Sequence, residues 1–493
     1  MFSKILIGRE GGGCKAEQGL APERTSAVRE DAIRPRQRRK RPLSTDQESS
    51  FSGAGEAGRM RTVKRSRLVE AVVPPNVIVN KRRLMRDLNA VSRIGIGSHG
   101  AVTRLVFSVK ELRSRQLLIH LMRQAGLKIH IDAIGNIFGR LNGSNPKAPA
   151  VVAGSHLDTV IHGGKYDGPV GVIGALEAAR TINENNIALR SPLEVVCFVG
   201  EESSRFGFST LGSSLVAGQV QPKDLANAVD PQGTKLEDVL SSLGITRRNL
   251  ASLKRDSKSL KAYFELHIEQ GPILETKRKR IGLVTSIAAP SRFKLIFIGQ
   301  ADHSGTTPME MRKDALVAAA RLIAYVEQAC RKFSSMDRGR VVGTVGAMKI
   351  EPGVINAVPG KAELSVDIRS ITAQAKEKVT RMVKNEANAI ARNRGVKVEI
   401  LPIREENPVP LDKRLLQITQ EICDQKGIVY EIMPSGAGHD AMQMAKITPA
   451  AMIFVPSKRG ISHNPLEWTD PDDICLGSQL LMETIVRVAN EDL

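Results

Sequence analysis

The sequence predicts an α/β protein in two parts: a large α/β domain and a smaller α+β domain inserted into it. Apolar, strand-like runs alternate with Ala-rich helical segments from about residue 75 onward. Polar and acidic residues follow several of these runs, as expected for an α/β sheet whose site lies at the strand ends. Between residues 290 and 403 the order becomes strand–helix–strand–strand–helix–strand, which is typical of a split βαβ sandwich.

The large domain is predicted from helical and strand-like segments that follow one another along the chain. Residues 77–93 and 108–126 predict amphipathic helices, and residues 127–141 alternate like a pair of strands. The runs PAVVAGSHLDTV and LEVVCFVGEE predict buried strands, and the Ala-rich segment VGVIGALEAARTI between them predicts a helix. Two further strands are expected at YFELHIEQG and IGLVTSIA.

The inserted domain is predicted from six segments. The strands are expected at RFKLIFIGQ, VVGTVGAMKI, KAELSVDIRS and VKVEILPI, with helices at KDALVAAARLIAYVEQAC and at about 371–393. We therefore divide the chain into a large domain at 71–289 and 404–493 and an insert at 290–403. Residues 1–70, rich in Arg, Gly, Ser and Glu, are expected to form a disordered basic extension because they cannot bury enough apolar surface.

The net charge of +20 raises the question of nucleic-acid binding. Roughly a third of the positive excess lies in the first 70 residues, and the rest is spread over the chain. No zinc finger or RNP-type aromatic motif is present, so a solvated basic surface is favoured and neither a nucleic acid nor a membrane is expected as a partner. The five cysteines are scattered and form no C-x-x-C pair, which favours a reducing compartment and a cytoplasmic location.

Histidines and carboxylates in polar, Gly-rich segments indicate a metal site. The histidines are His156, His267, His303, His439 and His463, and the acids are Asp158, Asp167, Glu201 and Glu202. A hydrolytic site needs imidazole and carboxylate ligands, an open position for water and a nearby base. Two cations also need a shared anion, which Asp167 in YDGPVGV could supply. A single histidine is more often structural, but five in such settings are difficult to attribute to packing.

These motifs resemble the amidase/hydantoinase/carbamoylase branch of the M20 metallopeptidase clan. The resemblance covers roughly residues 75–490 in the same order, and it is carried by GSHLDTV, YDGPVGV, GEESSRFG, HIEQGPILE, HSGTTPMEMRKDAL, INAVPGKAELSVDIRS, SGAGHDAM and ISHNP. It implies a di-metal aminopeptidase-like catalytic domain with the insert acting as a lid and dimerisation domain. The family includes allantoate amidohydrolases, N-carbamoyl-L-amino acid hydrolases, ureidoglycolate amidohydrolases and β-ureidopropionases.

The resemblance also implies roles for individual residues. One cation would be held by His156, Asp167 and His267, and the other by Asp167, Glu202 and His463. Asp158 would orient His156, and Glu201 would act as general base. His303, often supplied by the partner subunit, would stabilise the oxyanion. The substrate would be bound by Gln270, Asn356, Arg369, Gly438 and His439.

The sequence leaves several alternatives open. The donor set admits Zn or Mn, with Co or Ni as further candidates. The substrate is expected to be an N-carbamoyl-L-amino acid or allantoate, and the alternatives are ureidoglycolate, β-ureidopropionate, a dipeptide or an N-acyl amino acid. A homodimer is expected from the resemblance. The rival from another class is a non-catalytic basic binding protein with a structural metal site, although structural zinc sites commonly use cysteines, which avoid every motif here.

Overall fold

The strands of the large domain form a mixed sheet whose centre is parallel and buried. A computed structural model describes residues 73–226, 228–336 and 341–492. The predicted extension at 1–70 lies outside these residues. Within them the strands are β1 (Lys128–Ile131), β2 (Ile137–Leu141), β3 (Ala150–His156), β4 (Leu193–Phe198), β5 (Leu260–Ile268), β6 (Ile281–Ile287), β7 (Ala289–Ile298), β8 (Asp302–His303), β9 (Val341–Glu351), β10 (Ala357–Val358), β11 (Lys361–Ser370), β12 (Lys397–Glu405), β13 (Val409–Pro410), β14 (Tyr430–Ser435) and β15 (Ala450–Val455).

The helices alternate with these strands. They are α1 (Lys81–Arg93), α2 (Val109–Gln124), α3 (Pro169–Glu184), α4 (Leu211–Val216), α5 (Leu236–Ser242), α6 (Arg247–Ala251), α7 (Ile273–Lys277), α8 (Ala315–Met336), α9 (Ala373–Arg394), α10 (Lys413–Gln425), α11 (Ala441–Met444) and α12 (Pro471–Asn490). The order of strands and helices agrees with the α/β prediction. None of the described helices is long and apolar enough to span a membrane.

The large sheet places four parallel strands side by side. In the described part of the chain it has nine strands, in the order β1-β2-β4-β3-β5-β15-β6-β13, with β14 paired to β6. Strands β4, β3, β5 and β15 run parallel to one another, while the outer neighbours β2 and β6 pair antiparallel to β4 and β15. Strands β3 and β4 are buried at every position, as expected for strands covered on both faces. The carboxyl ends of these four strands therefore lie along one edge of the sheet.

Helix α3 packs against this parallel centre and begins beside the site. Its first residue is Pro169, which suits a first helical turn because proline has no N–H to leave unpaired. The preceding Gly168 has φ of +83°, and a Cβ at this position would lie 2.5 Å from Cε1 of His156. Only glycine therefore allows the chain to turn into α3 directly after Asp167 while staying this close to His156.

The insert forms a second sheet of four antiparallel strands in the order β12-β7-β11-β9. Strand β11 alternates between buried and half-buried positions, and helices α8 and α9 cover its buried face. The two faces differ because the apolar residues of this sheet recur with a period of two. The strand–helix–strand–strand–helix–strand prediction is thereby confirmed, while the domain boundaries at 290 and 403 stay a prediction.

Some elements differ from the sequence-based expectation. Helix α1 begins at Lys81 and not at 77, because the side chain of Asn80 accepts the N–H of Arg83 and caps the helix there. The short helices α4 to α6 were not predicted, since segments of five to seven residues carry little periodicity. The long helices α10 and α12, which close the large domain, were also not assigned from the sequence.

Candidate metal centre and active site

The parallel strands bring distant parts of the sequence to one edge of the sheet. His156 ends β3, and Glu201 and Glu202 follow β4 after a two-residue extension. His267 lies near the end of β5, and the loop after β15 carries His463. Since neighbouring parallel strands end at the same edge, these side chains converge although they are far apart in the sequence.

Asp167 lies at the centre of this arrangement. Its Oδ1 lies 3.2 Å from Nε2 of His267 and 3.9 Å from Nε2 of His156. Its Oδ2 lies 3.2 Å from Nε2 of His463, which in turn lies 3.2 Å from Oε1 of Glu202. The two oxygens of one carboxylate therefore face two different groups of side chains.

These contacts define two groups of candidate metal ligands that share Asp167. The first group is His156, Asp167 and His267, and the second is Asp167, Glu202 and His463; in each group the ligand atoms lie within 4.8 Å of one another. The first group is buried, whereas His463 is half exposed. The donors are imidazole nitrogens and carboxylate oxygens, which suit a divalent transition-metal ion.

An orphaned buried atom supports this fit. Nε2 of His267 is buried and has no hydrogen-bond partner among the described residues, because its approach to Asp167 lacks hydrogen-bond geometry. Its Nδ1 lies 2.9 Å from the carbonyl oxygen of Ile268, and in the neutral ring donation to that oxygen leaves the lone pair on Nε2. A cation beside Asp167 would satisfy this nitrogen.

A third group of possible ligands lies deeper in the protein. Glu265, His267 and His439 have ligand atoms within 4.8 Å of one another, and all three are buried. The carboxylate of Glu265 already accepts hydrogen bonds from Ser155 at 2.7 Å and from the backbone of Ala441 at 2.8 Å. Because these donors occupy its oxygens, Glu265 is better suited to holding the strands and the 435–441 loop together than to binding a cation.

Asp158 anchors the loop that carries the glutamates. Its two carboxylate oxygens accept the backbone N–H groups of Glu201 at 3.2 Å and Glu202 at 3.0 Å. Nδ1 of His156 lies 3.0 Å from the backbone oxygen of Asp158 and 3.8 Å from its carboxylate. In this arrangement the backbone of Asp158 contacts His156, while its side chain positions the two glutamates.

The electrostatics of the site follow from buried carboxylates near imidazoles. Burial raises the pKa of Asp167, but the neighbouring imidazoles of His267 and His463 outweigh burial and hold that pKa well below its usual range. Burial lowers the pKa of His267, but Asp167 and Glu265 raise it to about 9. Burial and the nearby Glu202 raise the pKa of Glu201 well above its usual value. The buried carboxylates and imidazoles of the site therefore shift one another's pKa values.

A cavity of about 140 Å³ opens over these residues. Its wall includes Glu201, Gly438, His439 and Arg369, together with the candidate ligands. Arg369 projects from β11 of the insert, and its guanidinium lies 3.0 Å from Oδ2 of Asp367. The cavity therefore lies between the strand ends of the large sheet and the exposed face of the smaller one.

Gln270 contacts the candidate ligands directly. Its Nε2 donates to Oδ2 of Asp167 at 2.6 Å, while its Oε1 is buried without a hydrogen-bond partner among the described residues. His439 packs edge-to-face against His267 with ring centroids 4.5 Å apart, and its Nε2 lies 2.8 Å from the hydroxyl of Ser435. Both residues were predicted from the sequence to bind substrate, and both lie at the cavity.

His303 and Asn356 lie elsewhere in this single chain. His303 pairs with Ala357 in the two-stranded ladder of β8 and β10, and Asn356 directly precedes β10, where its backbone oxygen accepts the N–H of Ser304 at 3.0 Å. Both are exposed, and neither lines the cavity that contains the candidate ligands. The chain alone therefore does not bring the predicted oxyanion-stabilising histidine to the site.

Several side chains at the site were not predicted from the sequence. Three of them line the cavity: Arg292 on β7, Arg404 on β12 and Glu406 directly after β12. Ser462 and Glu467 contact the Asp167 segment from the loop that carries His463. Their position within ISHNPLEW, beside a predicted ligand, was the available signal, but the sequence does not show which way these side chains face.

The fold and the site define a class of protein: an α/β protein with a carboxylate-bridged cluster of histidine and acidic residues, as in hydrolases that use metal ions. The family model for peptidase family M20/M25/M40 matches residues 152–487. The chain therefore belongs to this family, and the resemblance drawn from its motifs is confirmed.

The relatives that match cover most of the chain. An N-carbamoyl-L-amino acid amidohydrolase of Geobacillus stearothermophilus is 38% identical over 84% of this chain and 99% of its own length. A ureidoglycolate hydrolase of Arabidopsis thaliana is 38% identical over 82% of this chain and 86% of its own length. The crystal structure of an amidase of the hydantoinase/carbamoylase family from Burkholderia multivorans superposes with a TM-score of 0.77, at 33% identity, covering 85% of this chain and all of the other. The family and these relatives make the chain an amidohydrolase that acts on C–N bonds other than peptide bonds.

Proposed function

We propose that the chain hydrolyses the carbamoyl C–N bond of a small, carboxylate-bearing ureido compound, using two divalent cations. The observation that carries the proposal is the pair of ligand groups that share Asp167. His156 and His267 would complete one site with Asp167, and Glu202 and His463 would complete the other. When bound, the cations would polarise the scissile carbonyl and make a water molecule acidic enough to attack at neutral pH.

Glu201 is proposed as the general base. It is buried beside the ligand groups, with Oε2 3.9 Å from Nε2 of His156, and Asp158 fixes its backbone. Its neighbour Glu202 faces His463, so the two adjacent glutamates point to different tasks. In this role Glu201 would take a proton from the attacking water and pass it to the leaving nitrogen.

The cavity favours a small anionic substrate. Its volume of about 140 Å³ is below the range of roughly 300–1,000 Å³ found for sites that bind drug-sized ligands. The guanidinium of Arg369 would bind the substrate carboxylate through a pair of charge-assisted hydrogen bonds. Gln270, His439 and the backbone of Gly438 would orient the ureido group.

The remaining predicted side chains are proposed to come from a second copy of the chain. His303 and Asn356 are exposed and lie together outside the cavity of their own chain. In a homodimer, these residues of one protomer would reach the cavity of the other, where His303 would stabilise the oxyanion. This arrangement would make dimerisation a requirement for full activity.

We propose an N-carbamoyl-L-amino acid or allantoate as the substrate. The Geobacillus relative is named for the first, and MIFVPSKRGISHNPLEW resembles allantoate enzymes. Ureidoglycolate is the second candidate, favoured by the equal identity of the Arabidopsis relative. The motif SGAGHDAM, which ureidoglycolate enzymes typically vary, weighs against it.

A panel assay of ammonia release tests the proposal. The protein would be loaded separately with Zn²⁺, Mn²⁺, Co²⁺ or Ni²⁺, since nitrogen and oxygen donors admit all four. The substrates would be N-carbamoyl-L-alanine, allantoate, ureidoglycolate and N-carbamoyl-β-alanine, with a dipeptide and an N-acetyl amino acid followed by amine release. We expect turnover of one of the first two substrates, and Glu201→Gln should reduce that turnover by about 10²-fold or more. Turnover of the dipeptide or acetyl compound alone would overturn the proposed bond, and salt-dependent nucleic-acid binding without any turnover would favour the basic binding protein.

A further inference from the structure

A buried carboxylate outside the proposed ligand set contacts the segment that carries Asp167. Glu467 is 3% exposed and lies four residues after His463. Its Oε1 accepts the backbone N–H of Tyr166 at 2.8 Å and that of Asp167 at 3.2 Å. The side chain of Glu467 lies on the same loop as His463, and it therefore connects this loop to the backbone of Asp167.

The hydroxyl of Ser462 provides a second link between Glu467 and Asp167. Oγ of Ser462 lies 2.9 Å from Oε2 of Glu467 and 2.8 Å from Oδ2 of Asp167. The Glu467 carboxylate is thus connected to Asp167 in two ways. It accepts the backbone N–H of Asp167 directly, and the Ser462 hydroxyl links it to the Asp167 side chain. Because Ser462 immediately precedes His463, the same contacts also fix the start of that ligand's loop.

The chain packs tightly around this carboxylate. A Cβ at Gly164 would lie 2.1 Å from Oε1 of Glu467 and 2.4 Å from its Cβ. The backbone at residue 164 therefore presses against the Glu467 side chain with no room for a methyl group. Such close packing limits the alternative positions that the carboxylate could adopt.

We propose that Glu467 is a positioning residue that holds Asp167 and the His463 loop in the arrangement needed to bind both cations. This inference rests on the proposed function, because it assumes that Asp167 bridges two ions. Glu467 itself does not line the cavity, so its effect passes through Asp167 and Ser462. Loss of a residue that hydrogen-bonds to a metal ligand and orients it commonly lowers metal affinity by about 10–100-fold.

Two substitutions of Glu467 test whether its hydrogen bonds position the ligands. In Glu467→Gln the amide oxygen can still accept the two backbone N–H groups, and the amide nitrogen can donate to Ser462, whose hydrogen then goes to Asp167. In Glu467→Ala all of these contacts are lost. We expect the alanine variant to bind the cations 10–100-fold more weakly and the glutamine variant to stay within several-fold of the wild type.

The experiment measures Zn²⁺ affinity and stoichiometry in the full-length protein by competition with a chromogenic chelator, together with thermal unfolding of the metal-free forms. Gly164→Ala, which should displace the carboxylate, provides an independent variant in case Glu467→Ala does not fold. Glu194→Ala is the matched control, because Glu194 is also a buried carboxylate but binds Arg140 and Arg255 at 2.6 Å, at the opposite end of its strand from Glu201.

The proposal is supported if Glu467→Ala and Gly164→Ala weaken Zn²⁺ binding tenfold or more while Glu467→Gln and Glu194→Ala do not. It is overturned if Glu467→Ala binds Zn²⁺ as the wild type does, or if Glu194→Ala weakens binding equally, since the effect would then be a general loss of stability. A wild-type protein that binds no divalent ion would overturn the proposed function itself, and with it this inference.

Discussion

Nε2 of His463 lies 3.2 Å from Oδ2 of Asp167, although the two residues belong to loops that follow different strands of the sheet. The other oxygen of the same carboxylate faces His156 and His267. One carboxylate thus faces His156 and His267 on one side and His463 on the other, which is the geometric basis of the proposed two-cation site.

The shared position of Asp167 predicts that its loss affects both cations. In Asp167→Ala we expect the bound metal to fall from two ions per chain to fewer than one, because each group keeps only two ligands. In His463→Ala only one ion should be lost, since His156 and His267 remain with Asp167. Elemental analysis after dialysis against buffered Zn²⁺ measures both ratios, and an Asp167→Ala protein that keeps two ions would refute the bridge.

Glu201 is expected to act in proton transfer without holding metal. Glu201→Gln should lower kcat by about 10²–10⁴ because the water loses its general base. The metal content should stay at the wild-type value. Glu202→Gln is the matched neighbour, and it should instead lose metal because Glu202 faces His463. Steady-state kinetics combined with metal analysis separates the two roles. Equal metal loss in both variants would show that Glu201 also holds metal and would refute its role as a base alone.

Arg369 is expected to recognise the substrate carboxylate. Arg369→Lys removes the planar pair of donors, which should reduce kcat/KM for the acid by about 10–100-fold, or about 1.4–2.8 kcal/mol. A substrate whose carboxylate is replaced by a carboxamide should react poorly with the wild type and be little affected by the substitution. The control is Arg331→Lys, since Arg331 pairs with Glu327 on the exposed face of α8. If acid and amide lose activity equally, the carboxylate is bound elsewhere.

The exposed position of His303 predicts activity from mixed dimers. Separately, Glu201→Gln and His303→Ala proteins should both be nearly inactive. After unfolding and refolding together, a mixed dimer would contain one site with an intact Glu201 and a partner's His303. A statistical mixture should then recover about a quarter of wild-type activity, because half of the dimers have one of two sites restored. If His303 acts within its own chain, mixing restores nothing.

Close packing between β3 and β4 gives a prediction about stability. A Cβ at Gly154 would lie 1.9 Å from the carbonyl oxygen of Val196. Gly154→Ala should therefore destabilise the protein by about 1–3 kcal/mol or more and lower its melting temperature. At Gly346, on β9, a Cβ would meet nothing within 4 Å, so Gly346→Ala should change stability by less than about 0.5 kcal/mol. Thermal unfolding followed by circular dichroism compares the two variants; equal melting temperatures would show that the β3–β4 packing yields at no cost.

The sequence by itself determined the chemistry that this protein can support. The residue types in GSHLDTV, YDGPVGV and GEESSRFG indicate a histidine and carboxylate site, and the alternating runs indicate the two sheets. Both depend on local patterns that can be read within a short segment. For that reason the fold class, the family and the polar strand ends were predictable.

Only the tertiary structure decided which of these side chains meet. It placed Asp167 between two groups of ligands, aligned the carboxylate of Asp158 with the backbone of the glutamates, and left His303 outside the cavity of its own chain. It also brought Glu467 against Asp167, a contact that the segment ISHNPLEW does not specify because the sequence does not show which way the side chain faces. These contacts join residues on different loops, so they depend on strand order and on the path of each loop, and neither can be read from local periodicity.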